Sequence, residues 1–193
     1  MFKYDDDSIK AENGYVVMHR WETPIMKMMA EWACANTGDI LEVGYGMGIC
    51  ANFIQQHPIV SHTIVEKDPE VFEKLQDWSK DKPNVKLIKG DWYKNQDKLE
   101  TYDGIMFDTY ADMNIHYFKK ELVWKISKEE TNLAIWDEMH DSVHPHFPNN
   151  PLSSLKIDVD IPKEHSYNYL GSNSDLYLHR IKISNPSTIY NII

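Results

Sequence analysis

The chain has 193 residues, 42% hydrophobic and 26% charged, with a net charge of −10 at neutral pH. That balance suits one folded domain and excludes disordered or collagen-like chains, and the lack of clustered Lys and Arg argues against nucleic acid as a partner. No apolar run approaches the ~20 residues of a membrane span. The acidic start MFKYDDDSIK does not read as a secretion signal, and two cysteines are too few for a disulfide framework, so a cytoplasmic setting is expected.

Residues 1–14 are polar, carry an Asp run and read as a flexible arm before a single domain over 15–193. Val17, Met18, Trp21, Ile25, Met28, Met29 and Trp32 then recur at three- and four-residue spacings. Thr23-Pro24 reads as an N-cap followed by Pro at N1, which predicts a helix from Pro24 to about Asn36. Glu22 stands at the junction before it, where a side chain can point into a cleft.

Beyond that helix, strands and helices alternate. DILEV at 39–43 predicts a strand, 44–48 a glycine loop and 49–56 a helix; HTIVE at 62–66 predicts the second strand and 69–79 an amphipathic helix. VKLI at 85–88, YDGIMF at 102–107 and NLAIW at 132–136 predict three more strands, with a helix over 115–126. This is the pattern of an α/β chain with a mostly parallel sheet and helices on both faces. LKIDVDI at 155–161 and DLYLHRIKI at 175–183 alternate with period two and predict a C-terminal antiparallel hairpin closing one sheet edge. The layout resembles that of the Rossmann-like class I S-adenosylmethionine-dependent methyltransferases, though fold alone does not fix function.

The strand–loop–helix junction reads Glu42-Val43-Gly44-Tyr45-Gly46-Met47-Gly48. Glycines at such a turn let the backbone approach a ligand closely. The spacing G-x-G-x-G departs from the dinucleotide fingerprint G-x-G-x-x-G. Glu42 is a poor neighbour for a pyrophosphate and a good one for a cationic cofactor, which counts against a nicotinamide oxidoreductase. Glu66 closes the second strand about 20 residues after the loop, where an acidic side chain accepts ribose hydroxyls in this architecture. Asp91-Trp92 follows the third strand, where a carboxylate and a ring can meet an adenine.

VMHRWETP at 17–24, GYGMGI at 44–49, Asp77-Trp78, and YDGIMFDTY at 102–110 together resemble the guanidinoacetate N-methyltransferase family. A related family that methylates the δ-nitrogen of protein arginine shares much of the pattern. The resemblance runs from about Val16 to Phe118. It implies S-adenosyl-L-methionine as cofactor, bound by Met18, Met26, the loop residues Tyr45, Gly46, Met47, Gly48, Ile49 and Cys50, by Glu66, Lys67 and Asp68, and by Trp92. Glu42, Gly44, Asp91 and Asp108 complete the expected cofactor set. It further implies that Glu22 and Asp108 grip the guanidine. Backbone donors for the acceptor's far end would fall at Glu138 and Met139.

The chemistry of the acceptor supports that carboxylate pair independently. A guanidinium presents planar N–H forks that match carboxylates bidentately. It has no free lone pair, so a proton must leave as the new N–C bond forms, and a nearby carboxylate can accept it. Asp108 is the expected base and orienter, Glu22 the orienter. In the loop after the fifth strand, Asp137, Glu138 and Asp141 add negative charge where the family holds a substrate carboxylate. A small guanidine with a neutral or cationic far end is therefore the expected acceptor. Protein arginine is the alternative, and a cofactor-binding chain without catalysis a further one. His140, His144 and His146 have metal-ligand spacing but read as an exposed His-rich loop, and no metal is expected. No nucleic acid or membrane partner is expected; monomer and homodimer remain open.

Overall fold

In the computed structural model, residues 2–136, 152–157 and 176–184 are described. The chain opens with three short strands, β1 (Lys3–Tyr4), β2 (Ser8–Lys10) and β3 (Val16–His19), paired antiparallel in that order. This corrects the expectation of a flexible arm. The Asp run makes a turn: Asp5 Oδ1 accepts the backbone N–H groups of Asp7 and Ser8, and Lys10 pairs with its Oδ2 at 3.1 Å. Such side-chain-to-backbone bonds specify turns as readily as they solvate loops. The turn brings Ile9 inward, where it is 1% exposed.

Helix α1 (Thr23–Ala33) follows a single 3₁₀ turn over Arg20–Glu22. Its inner stripe, Ile25, Met26, Met29, Ala30 and Ala33, is buried. The main sheet then begins with β4 (Gly38–Val43), followed by α2 (Ile49–Ile54), β5 (Ile59–Glu66), α3 (Pro69–Ser79), β6 (Val85–Lys89) and β7 (Tyr102–Phe107). Asp68 caps α3, its Oδ1 accepting the N–H groups of Glu70 and Val71 ahead of Pro69 at the first turn. The next helical stretch is interrupted: α4 (Ile115–Tyr117) and α5 (Val123–Ile126) flank a π-helical turn over Phe118–Leu122. β8 (Ser127–Ile135) completes the parallel set, and β9 (Leu152–Ile157) and β10 (Leu176–Ser184) form the antiparallel edge.

The sheet order is β6-β5-β4-β7-β8-β10-β9. Alternation along each strand separates two cores. Ile40, Met106 and Ala134 pack under α1 and α2. Leu41, Phe107, Leu133 and Ile135 pack against Phe118, Leu122 and Val123 on the other face. The order reverses direction about β4, so the carboxyl ends of β4, β5 and β7 open on a crevice at the switch point, the usual ligand site of such sheets.

Candidate active site

The crevice is held by hydrogen bonds that continue the sheet past its strand ends. Gly44 N–H donates to Val65 O at 2.9 Å, Asp108 N–H to Val43 O at 3.1 Å, and Gly90 N–H to Glu66 O at 2.8 Å. Gly44 has φ +91°, and a Cβ there would drive into the Asp108 carbonyl oxygen. Gly46 has φ +54° and would meet the Met18 sulfur in the same way. The glycines therefore serve two ends: positive φ, and close approach of the loop to β3 and to the end of β7. Met18 Sδ in turn accepts the Met47 N–H at 3.2 Å.

The resulting cleft encloses about 720 Å³ of empty space, its open mouth included. Of the expected cofactor residues, Met18, Met26, Gly44, Tyr45, Gly46, Cys50, Glu66, Lys67, Trp92 and Asp108 line it. Glu66 is 7% exposed. Its Oε2 accepts the Tyr45 N–H at 2.9 Å and its Oε1 the Asp68 N–H at 2.7 Å; the Gly46 N–H bonds to the carboxylate as well, and the remaining acceptor capacity can take a ligand hydroxyl. Trp92 is fixed edge-on to Phe107 and Phe118 and donates Nε1–H to Asp112 at 2.6 Å. Burial pushes the Cys50 thiol well above its ordinary range, so it stays a weak nucleophile although it lines the cleft.

Asp108 is partly buried, and the protein encloses it on all sides but the cleft. Desolvation, then the negative charge of Glu42, push its carboxyl up to about 6. A carboxylate so placed binds a proton far more readily than one in water, as a general base must.

Other expected residues lie outside the cleft lining. Glu22 is 3% exposed, and its Oε1 accepts the His19 N–H in a capping box. Asp68 and Asp91 cap helical turns at Glu70–Val71 and Tyr93. Gly48 caps and Ile49 starts α2, and Met47 lines an adjoining groove with Arg20 and Lys74, which shares Ile9, Tyr45 and Gly46 with the cleft. Glu42 does not line the cleft, which corrects the expectation of direct cofactor contact: it is fully buried under the loop beside His62. Glu138 and Met139, with Asp137, Asp141 and the three histidines, lie outside the described residues. The sequence reading missed Phe2 and Ile9, which wall the cleft from the N-terminal strands, and Thr109 and Tyr110 beyond β7. The DTY run was visible as a motif; Phe2 and Ile9 carried no signal.

The residues present fit S-adenosylmethionine. Glycines leave a cradle that Cβ atoms would fill, and a buried carboxylate stands at the end of β5 beside apolar and aromatic walls. The sequence model of the family described as guanidinoacetate N-methyltransferase matches residues 2–150. Among curated proteins, the chain is 35% identical over 127 residues to protein arginine N-methyltransferase 2 of Kluyveromyces lactis and 37% identical over 127 residues to that of Saccharomyces cerevisiae. Each alignment covers 60% of this chain, and the chain spans 30% of the length of each relative. Among solved structures, a protein of Streptococcus mutans described as a SAM-dependent methyltransferase superposes with a TM-score of 0.63 at 11% identity, covering 95% of this chain and 55% of that one. This last likeness concerns the fold.

Proposed function

From the premise that the chain belongs to the guanidinoacetate N-methyltransferase family, we propose that it transfers the methyl group of S-adenosylmethionine to a guanidino nitrogen. Asp108 carries the proposal: a carboxylate at the end of β7, raised to about 6, in one cleft with Glu66 and the glycine loop. S-adenosylmethionine supplies an activated methyl on a sulfonium. Glu66 would hold its ribose hydroxyls, and Trp92 would cover its base. Asp108 pairs with the guanidinium fork, aims one nitrogen, and takes the proton that nitrogen sheds as its N–C bond forms. The resemblance assigns Glu22 to the other side of the fork, although its carboxylate caps the His19 N–H outside the cleft lining. Much of the acceleration is positioning, because the methyl donor is already activated.

An arginine side chain in a polypeptide is the acceptor favoured by the curated relatives, which are named protein arginine N-methyltransferase 2. A free guanidine is the second reading, favoured by the description of the family. Incubating the protein with methyl-labelled S-adenosylmethionine and either an arginine peptide, agmatine or guanidinoacetate tests both. Label on a guanidino nitrogen of any of these supports the activity, and the preferred acceptor decides between the readings. Folded protein that binds the cofactor and labels none of them would overturn it.

A further inference from the structure

Beneath the glycine loop lies a pair of ionisable side chains that no step above uses. Glu42 on β4 and His62 on β5 are both 0% exposed. In the parallel register His62 lies opposite Ile40 and Ile64 opposite Glu42, so both side chains share one face of the sheet. His62 Nε2 is 2.9 Å from Glu42 Oε2. The other ring nitrogen, Nδ1, is 3.2 Å from the amide nitrogen of Gln55. With that amide donating, Nδ1 accepts and the ring proton belongs on Nε2, against the carboxylate. The Ala51 backbone N–H in the first turn of α2 also bears on the Glu42 carboxylate; beyond it and the His62 contact, neither carboxylate oxygen, nor Nε2, has a well-aligned hydrogen bond. A carboxylate so deeply buried would ordinarily take up a proton. Burial pushes Glu42 that way, and His62 is the leading influence that opposes it.

We propose that His62 is a positioning residue: it keeps Glu42 ionised, so that a fixed negative charge underlies the cleft where the cationic end of S-adenosylmethionine binds. The inference rests on the function proposed above. Glu42 acts through its field and not by contact. Its charge reaches Asp108, Tyr45 and Cys50 in the cleft wall and Cys34 at the end of α1. Glu66 faces it from the end of β5. All of these are acids. Burial pushes the two thiols and the phenol up, and it raises the carboxyls of Glu42, Glu66 and Asp108 as well, with His62 the basic neighbour of Glu42. A buried anion favours the sulfonium of the donor over the neutral thioether of S-adenosylhomocysteine, while the rest of the two molecules is the same.

The ratio of the two affinities, measured by calorimetry on the full chain, isolates that one charge and cancels any inactive fraction. Glu42→Gln, nearly isosteric, should shift the ratio toward S-adenosylhomocysteine by roughly three- to tenfold. His62→Phe should shift it as far, because Glu42 then takes up a proton. His62→Gln, whose amide N–H takes the place of Nε2–H, should restore the wild-type ratio. The acid limb of kcat/KM should move to lower pH in Glu42→Gln and His62→Phe, as Asp108 loses a like charge. An unchanged ratio in Glu42→Gln, or equal shifts in His62→Phe and His62→Gln, would overturn the inference. If the wild type binds neither ligand, the cofactor assignment itself falls, and that outcome is read before any variant.

Discussion

Asp108 concentrates the chemistry in one side chain, and two measurements follow from its surroundings. Asp108→Asn should lower turnover by 10²–10⁴-fold, the usual reach of a general base, while cofactor affinity changes only a few-fold. The same raised carboxyl is a stability liability. Its folded value of about 6 exceeds the ordinary 3.8, so the folded state holds the proton more tightly between those values. Stability from this group is full below about pH 4 and is lost as pH rises through about 6. Asp108→Asn should therefore raise Tm more at pH 7.5 than at pH 5; an equal rise at both would reject the shift. Gly44→Ala would press a methyl into the Asp108 carbonyl at positive φ, and should cost about 1–3 kcal/mol of stability along with activity. At this scale the sequence was informative where function follows from spacing. Glu66 and Asp108 end strands, so their place at the crevice was legible. Glu42, two residues before the first glycine, reads the same in the sequence whether it enters the cleft or lies beneath it. Only the pleat of β4 and the His62 side chain on β5 decide that.

Elements were legible where one face is apolar. The stripe of α1 and the alternation of β10 against β8 gave helix and hairpin within a few residues of where they form. The N-terminal strands were not, because their signal is a polar turn. An Asp run looks solvated until its carboxylate is seen to accept Asp7 and Ser8 N–H groups. The π turn inside 115–126 was equally silent, since one extra residue per turn leaves an apolar pattern intact. The small sheet matters because it walls the cleft. Ile9, 1% exposed, packs with Met18 and the α1 stripe. Ile9→Ala should cost about 2–4 kcal/mol by opening a cavity there, and should weaken S-adenosylmethionine binding as the wall recedes. Denaturation and calorimetry on the one variant check both, and loss of stability with unchanged affinity would detach the sheet from the site. Glu22 has a comparable double placement. Its carboxylate closes a capping box on the His19 N–H, while the resemblance assigns it to the guanidine. Glu22→Gln keeps an oxygen for the cap but loses the charge, so it should spare stability and weaken acceptor binding.

The whole molecule carries −10, and its charge bears on which guanidine it takes. A cationic acceptor is drawn to such a surface, and a carboxylate-bearing one is not. Guanidinoacetate brings an anion to a cleft that already holds Asp108 and Glu66, with Asp137, Glu138 and Asp141 in the chain segment after β8. An arginine within a basic peptide brings only positive charge besides the fork to be methylated. The peptide should therefore exceed guanidinoacetate in kcat/KM by about tenfold, or ~1.4 kcal/mol in transition-state binding. Long-range attraction is screened within a Debye length of about 10 Å at 0.1 M salt. The part of the preference due to net charge should accordingly shrink between low and moderate salt, while the part due to charges beside the acceptor should persist. Glu138→Gln separates the two, because it removes one charge in ten from the whole and, on the resemblance's assignment of Glu138 to the acceptor's far end, a larger share of the local one. If it narrows the gap at moderate salt, the segment after β8 selects the acceptor. If guanidinoacetate wins by tenfold, backbone N–H donors outweigh the nearby carboxylates, and acceptor choice follows amide geometry instead of side-chain charge.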